Sequence, residues 1–269
     1  GVNGITILGV LGEANRLIDR ERETIIGTAV KAASGRIPVI VGTSHSGTRA
    51  TVELSRQAAD LGASGIMVTP HRENVPQEQR IYDHFASVNE AVNLPIVLQD
   101  HPGSTEVHMS LELVLRMVAE LDHIACVKQE ALPSPARVSA LISGMGTRKV
   151  PILTGLGALY GGFELANGGS GFMTGFAFPE VLLAMVRANA EADTDRLWRI
   201  YCHYLPLIVF EGQPGVAIRK HLFHLRGLLA TDRVRGPAAG ISANATTQLR
   251  TTLDRIVGDA DITKKLEVP

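Results

Sequence analysis

Lys128 and Glu130 stand two residues apart near the end of a mostly apolar stretch, residues 123–131, of the 269-residue chain. Because side chains alternate between the two faces of a strand, this pair is predicted to share one face. Two apolar residues, Ile124 and Cys126, precede the pair and are expected on the same face. A lysine at the mouth of an apolar pocket is partly desolvated, which favours the neutral amine that attacks a carbonyl carbon. The alternative is a solvated lysine just beyond a strand.

The elements that must position this pair follow from a pattern that recurs along the chain. Short, mostly apolar runs end in small or polar residues, and a stretch with helical periodicity follows each run. Near-continuous hydrophobicity of this kind is typical of strands buried on both faces of a parallel sheet. Seven runs fit the description: residues 5–8, 38–41, 65–68, 95–98, 124–127, 150–153 and 171–173.

Helical stretches separate these runs, and four more follow the last of them. Acidic residues at the start of residues 19–33 favour a helix N-terminus, and residues 48–61 carry a broad apolar stripe. The other predicted helices are residues 76–92, 110–121, 135–143, 156–167, 179–192, 194–210, 215–229 and 244–257.

This alternation predicts an α/β fold with right-handed crossovers, and we favour a (β/α)8 TIM barrel. Seven units are one short of that barrel, so its first strand and helix are expected upstream of residue 1. An open doubly wound sheet is the competing topology, but no dinucleotide-binding glycine fingerprint follows a strand. We assign residues 1–192 to the barrel and residues 193–269 to a C-terminal helical extension.

Active sites of such barrels lie at the carboxyl ends of the strands, so the residues after each run are the candidates. Thr43 and Ser44 are predicted either to donate to a substrate or to fix a loop. His101 either contacts substrate or shapes the turn before a proline, and Thr174 either contacts substrate or ends the last strand. Asp100 alternates to the face opposite Gln99, so a structural hydrogen bond is at least as much favoured as a role in the site.

Bulk composition excludes several classes of function. A formal net charge of −1 gives no basis for a nucleic-acid or anionic membrane surface. The two cysteines, Cys126 and Cys202, form no disulfide framework and suit a reducing cytoplasm. No apolar run reaches the length of a membrane span, and no His, Asp and Glu cluster has the spacing of metal ligands. We therefore expect a cytoplasmic protein that uses no metal.

Several of these motifs, in this order and spacing, resemble the dihydrodipicolinate synthase and N-acetylneuraminate lyase family of Schiff-base lyases. Residues 1–13 resemble its Gly-Thr-Thr-Gly-Glu loop, residues 38–43 its Pro-Val-Ile-x-Gly-Thr strand, and residues 99–105 its Tyr-Asn-x-Pro-Gly-Arg-Thr motif. Val127 and Lys128 match the Ile-Lys pair that carries the Schiff-base lysine. The resemblance covers nearly the whole chain.

The resemblance implies that Lys128 condenses with the C2 carbonyl of pyruvate or of another 2-keto acid. The resulting iminium is an electron sink that stabilises a carbanion at C3. It follows that no cofactor is expected, since the lysine itself supplies the electron sink. The resemblance also implies a homo-oligomer, either a tetramer or a dimer.

The chain departs from the family pattern where substrate binding and proton transfer are decided. Val10 and Leu11 replace hydroxyl residues that hold the keto-acid carboxylate, so backbone N–H groups would have to bind it. Gln99 replaces the proton-relay tyrosine, and an amide is neither an acid nor a base near neutral pH. Ser104 replaces the arginine that the synthases use for their aldehyde substrate. A true dihydrodipicolinate synthase is therefore not expected.

A Lys-x-Glu pair beside Gln-Asp resembles the 2-keto-3-deoxy sugar-acid dehydratase branch, in which a carboxylate removes a C3 proton and the C4 hydroxyl leaves as water. We therefore favour dehydration or aldol cleavage of a sugar-derived keto acid, with Glu130 as acid and base. The alternatives are a pyruvate-dependent aldolase or synthase, a non-catalytic keto-acid-binding barrel and, for Glu130, a simple ion-pair role. The predicted catalytic residues are Lys128, Glu130 and Gln99, and the predicted substrate contacts are Val10, Leu11, Thr43, Ser44, His101 and Thr174.

Overall fold

The computed structural model of the chain describes residues 1–74, 77–213 and 215–268. Its contacts divide the chain into two compact units. The first, the sheet unit, comprises Asn3–Thr154 and Asn167–Met173. The second, the helical unit, comprises Gly1–Val2, Gly155–Ala166 and Thr174–Pro269. The predicted division at residue 192 stays a prediction.

The sheet unit is built on a seven-stranded parallel sheet in which each strand is hydrogen-bonded to the next one along the chain. All seven predicted runs are therefore confirmed as strands. Their apolar, β-branched composition suits strands that are covered on both faces. The strands are β1 Ile5–Ile7, β2 Val39–Gly42, β3 Gly65–Val68, β4 Ile96–Asp100, β5 Ile124–Gln129, β6 Ile152–Thr154 and β7 Gly171–Phe172.

Helices connect these strands as the alternating pattern predicts. Short 3-10 turns follow β1 at Val10–Gly12 and Ala14–Arg16, and a four-residue helix follows β4 that the sequence did not predict. The predicted start of the third helix at Pro76 lies outside the described residues. The helices are α1 Asp19–Ala33, α2 Thr48–Asp60, α3 Glu78–Ala91, α4 Pro102–Thr105, α5 Leu111–Glu120 and α6 Ser134–Gly144.

Apolar side chains cover both faces of the sheet. The face toward the helices forms a large core in which strand residues such as Val68 and Leu98 pack with helix residues such as Phe85 and Val114. The opposite face carries a smaller cluster formed by Met67, Val97 and Cys126, with Ile40, Leu153 and Met173 packed against it. Successive side chains along each strand therefore face either the large core or the smaller cluster in turn.

A bulge in β5 changes which residues share a face with the candidate lysine. Ile96 pairs with Ile124, whereas Val97 pairs with Cys126, so the register shifts at Ala125. Because an extra residue reverses the alternation, Ile124 packs in the helix-side core and Cys126 in the opposite cluster. The prediction that Ile124 lies on the face of Lys128 is wrong for this reason.

Gly42, the last residue of β2, lies where the backbone of the preceding loop comes close. A side chain at this position would collide with the carbonyl oxygen of Leu8. Leu8 itself has φ of 56°, a left-handed conformation that turns the chain out of β1. The close approach therefore requires glycine and fixes the loop that begins at Gly9.

The helical unit contains the longer C-terminal helices and two buried ion pairs. Arg219 pairs with Glu211, and Arg226 Nη2 lies 2.7 Å from Glu180 Oε1. Arg226 also donates to the carbonyl of Ile262, which ties the C-terminal segment to the unit. The helices are α7 Gly161–Ala166, α8 Pro179–Ala190, α9 Thr194–Glu211, α10 Val216–Leu225 and α11 Ala243–Val257. In the described residues, no helix has the length and apolarity to cross a membrane.

Candidate active site

The carboxylate of Glu130 is the centre of a cluster formed by four residues that the sequence singled out. Gln99 Nε2 donates to Glu130 Oε2 over 2.6 Å. The amine of Lys128 lies 3.3 Å from the same oxygen. His101 Nε2 lies 3.7 Å from the other oxygen, Oε1. The lysine and glutamate side chains are only 12% and 5% exposed, so Lys128 is not the solvated lysine of the alternative interpretation.

Strand pairing brings these side chains together. Gln99 on β4 is the register partner of Lys128 on β5. The N–H of Glu130 then donates to the carbonyl of Asp100 over 2.8 Å, which continues the pairing one residue beyond the end of β5. Alternation along this extended segment puts Glu130 on the same face as Lys128, as predicted.

The apolar cluster below the amine includes Cys126, two residues before Lys128. Burial raises the pKa of the Cys126 thiol to about 11, so the thiol stays protonated at neutral pH. Its thiol is therefore inert beside the lysine. Within the described ranges, no group of three or more His, Cys, Asp or Glu side chains is arranged to hold a metal ion.

Asp100 points away from the cluster toward α6. Its Oδ2 accepts from Arg137 Nε over 3.0 Å, and Arg137 also donates to the carbonyl of Met109 over 2.8 Å. Burial raises the pKa of Asp100, although the guanidinium opposes the shift. The carboxylate thus anchors the backbone that carries Gln99 and receives the N–H of Glu130. Sequence reasoning missed Arg137, because nothing local marks its long-range contact.

Comparison with known proteins shows the family to which the chain belongs. The family model described as "Dihydrodipicolinate synthetase family" matches residues 1–256. The chain belongs to this family. The predicted resemblance is thus confirmed.

One curated relative is the L-2-keto-3-deoxyarabonate dehydratase of Azospirillum brasilense. It is 32% identical to this family member, and the match covers 88% of this chain and 78% of the relative. Another is the 4-hydroxy-tetrahydrodipicolinate synthase of Parvibaculum lavamentivorans, 33% identical over 91% of this chain and 84% of the relative. The solved dihydrodipicolinate synthase of Rhodopseudomonas palustris has a TM-score of 0.89 and 31% identity, and the match covers 95% of this chain and 86% of the other. The protein is therefore a class I, Schiff-base-forming lyase that acts on a small 2-keto acid.

In this family member, the hydroxyls that end β2 are bonded inside the protein. Thr43 Oγ1 lies 2.9 Å from Ser55 Oγ, and Ser55 Oγ donates to the carbonyl of Thr51 over 2.7 Å. Because that bond uses the serine hydrogen, Thr43 is the donor to Ser55. Ser44 Oγ accepts from the N–H of Thr69 over 2.9 Å. These bonds fix the loops, and substrate contacts by Thr43 and Ser44 stay predictions.

The other predicted substrate contacts belong to the turn after β1 and to the helical unit. Val10 and Leu11 form the 3-10 turn after β1 and are 55% and 41% exposed. Their side chains offer no hydrogen-bond donor, as the sequence indicated. Thr174 belongs to the helical unit, where its hydroxyl accepts from the N–H of Gly157 over 2.9 Å. Substrate contacts by these three residues stay predictions.

The buried Asp100–Arg137 pair gives a stability prediction. Replacing Arg137 with alanine leaves a buried carboxylate without its cation, so we expect the free energy of unfolding to fall by about 3 kcal/mol. The matched control is Arg56→Ala, because its pair with Glu53 has side chains that are 52% and 60% exposed. That change should cost at most about 1 kcal/mol. Urea unfolding of both variants tests the expectation, which equal losses would contradict.

Proposed function

We propose that Lys128 forms the Schiff base and that Glu130 transfers the proton at the adjacent carbon, in the dehydration of a 2-keto-3-deoxy sugar acid. One observation supports this most strongly: a carboxylate that is 5% exposed lies 3.3 Å from a lysine amine that is 12% exposed. A base so close to the amine is also close to C3 of a keto acid joined to that amine through C2.

The chemistry follows from this geometry in two stages. Lys128 attacks the C2 carbonyl and water leaves, and the resulting iminium can accept the electron pair of a C3–H bond. Glu130 then takes a proton from C3, and the enamine expels the C4 hydroxyl, which must receive a proton to leave as water. Gln99 holds the carboxylate by its amide donor, so we propose that it positions Glu130 and transfers no proton.

Two features favour dehydration over synthase chemistry. The synthase-type tyrosine and arginine are absent from this chain, where Gln99 and Ser104 stand. One curated relative is named L-2-keto-3-deoxyarabonate dehydratase, which supports a substrate of that chemical class. The second candidate is a pyruvate-dependent aldolase or synthase, because other relatives are named 4-hydroxy-tetrahydrodipicolinate synthase.

We propose further properties at the level of the whole protein. Seven parallel strands in sequential order support closure into a (β/α)8 barrel. The lysine supplies the electron sink, so the reaction would need no cofactor. A cytoplasmic homo-oligomer, dimer or tetramer, is in keeping with the family. Light scattering of the purified protein gives the number of subunits.

Reductive trapping tests the proposed function. We expect borohydride with pyruvate to add a reduced pyruvyl group to Lys128, found by mass mapping, and to leave the exposed Lys149 unmodified. Incubation with a panel of 2-keto-3-deoxy sugar acids should release a keto acid that has lost water. Release of free pyruvate would favour the aldolase candidate, and trapping without turnover of any substrate would favour a binding protein. No trapping at Lys128 would contradict the Schiff-base role.

A further inference from the structure

His101 presents one ring nitrogen to the catalytic carboxylate. Its Nε2 lies 3.7 Å from Glu130 Oε1, on the side of the carboxylate away from the oxygen that contacts Lys128 and Gln99. The other ring nitrogen, Nδ1, is buried and has no hydrogen-bond partner among the residues that the structure describes. The polar contact of this ring is therefore directed at Glu130.

The backbone around His101 holds the ring in this place. Its carbonyl accepts from the N–H groups of Ser104 and Thr105, over 3.0 and 3.1 Å, at the first turn of α4. The hydroxyl of Thr105 donates to the same oxygen over 3.1 Å. The side chain is 17% exposed, so the protein does not cover the ring completely.

Dehydration needs an acid as well as a base, because hydroxide is a poor leaving group. Among the described residues near Glu130, the amide of Gln99 has no acidic proton. Lys128 is engaged by the substrate, and Asp100 faces Arg137 instead. The imidazole ring of His101 is the group in this cluster that can both carry and release a proton.

We propose that His101 is the general acid that protonates the departing C4 hydroxyl; this inference rests on the proposed dehydration at Lys128. The substrate class is a 2-keto acid with a C3 methylene and a C4 hydroxyl. The C3–H bond breaks and its proton passes to Glu130, while its electron pair forms the enamine. The C4–O bond then breaks, and the oxygen leaves as water with the proton from His101.

The contact between His101 and Glu130 also provides a way to return both groups to their starting protonation states after each turnover. After elimination, Glu130 carries the C3 proton and the imidazole is neutral. Transfer of a proton from the Glu130 carboxyl group to Nε2 of His101 restores the carboxylate and the imidazolium. Hydrolysis of the remaining iminium frees Lys128 and releases the unsaturated keto acid, so the atoms of one water molecule leave the substrate in each cycle.

The test separates the acid step from the base step. In His101→Asn, we expect kcat for the 4-hydroxy substrate to fall by about 10²–10³-fold. Borohydride trapping and exchange of the C3 proton in D₂O should persist, because Lys128 and Glu130 remain. A 4-chloro analogue expels chloride without an acid. His101→Asn should therefore turn over this analogue at a rate within about threefold of the rate of the parent protein on the same analogue. The matched control is His123→Asn, since His123 precedes the opposite end of β5, and it should behave like the parent.

The outcomes are distinguishable. Equal loss on the 4-hydroxy and 4-chloro substrates, loss of C3 exchange, or unchanged turnover in His101→Asn would each overturn the acid role. His101→Gln gives a second variant, and borohydride trapping shows for either variant that the site is intact. If the parent itself is not trapped at Lys128, the proposed function fails, and this inference fails with it.

Discussion

Lys128→Met is expected to lower kcat/KM by on the order of 10⁴-fold, a larger loss than any other single substitution in the site should cause. Methionine keeps most of the side-chain volume over the apolar cluster that contains Cys126, but it has no amine to join to C2. Without the iminium, no electron sink exists and the C3 proton is not acidic enough for Glu130 to remove. Turnover of the parent's best 2-keto-3-deoxy acid, followed by product analysis, measures the loss.

Two further variants make this result specific. Lys128→Arg keeps a cation beside Glu130, but a guanidinium stays protonated and forms no Schiff base, so it should be as inactive as Lys128→Met. Lys149→Met removes an exposed lysine and should leave both turnover and trapping unchanged. Thermal unfolding of the three proteins checks that the fold is retained. Activity of either Lys128 variant near that of the parent would end the covalent mechanism.

The sequence predicted the strands well because each is a continuous apolar run of a parallel sheet. Period-two alternation was also enough to place Lys128 and Glu130 on one face, since both lie beyond the irregular part of β5. The bulge at Ala125 could not be predicted in the same way. It depends on the register with β4, which is a long-range property that residues 123–131 do not encode by themselves.

The sequence indicated which residues surround the Glu130 carboxylate, but it did not indicate which atoms contact each other. The residue types of Gln99, His101 and Glu130 at strand ends indicated a polar cluster. Which oxygen each group meets depends on the β4–β5 register and on α4, a short helix with little periodic signal. Arg137 was missed because its bond to Asp100 spans 37 residues.

Replacing the relay tyrosine with Gln99 has a consequence for where proton transfer occurs. An amide can donate to Glu130 but cannot exchange a proton with it. The proton-transfer role is therefore expected to lie at the end of β5, on Glu130, with His101 on the other carboxylate oxygen. This division suits a reaction in which one proton leaves carbon and another must reach a departing oxygen.

Glu130→Gln should lose turnover but should still form the Schiff base at Lys128. We expect kcat to fall by about 10³-fold, because the amide cannot accept the C3 proton. The shape of the side chain is retained, and Lys128 still carries its amine, so borohydride with pyruvate should trap the variant. Exchange of the C3 protons of pyruvate in D₂O, followed by NMR, should be abolished.

The exchange measurement decides between catalysis and a structural ion pair. If Glu130 only held Lys128 in place, Glu130→Gln would impair trapping and exchange together, and Glu130→Asp, which keeps a carboxylate for the ion pair, would recover the two together. A base role predicts intact trapping, no exchange, and partial recovery in Glu130→Asp, whose shorter carboxylate can still accept a proton. Glu106→Gln, at an exposed residue that contacts Arg72, should match the parent in every assay. Exchange at the parent rate in Glu130→Gln would assign the base to another group and remove the carboxylate from the mechanism.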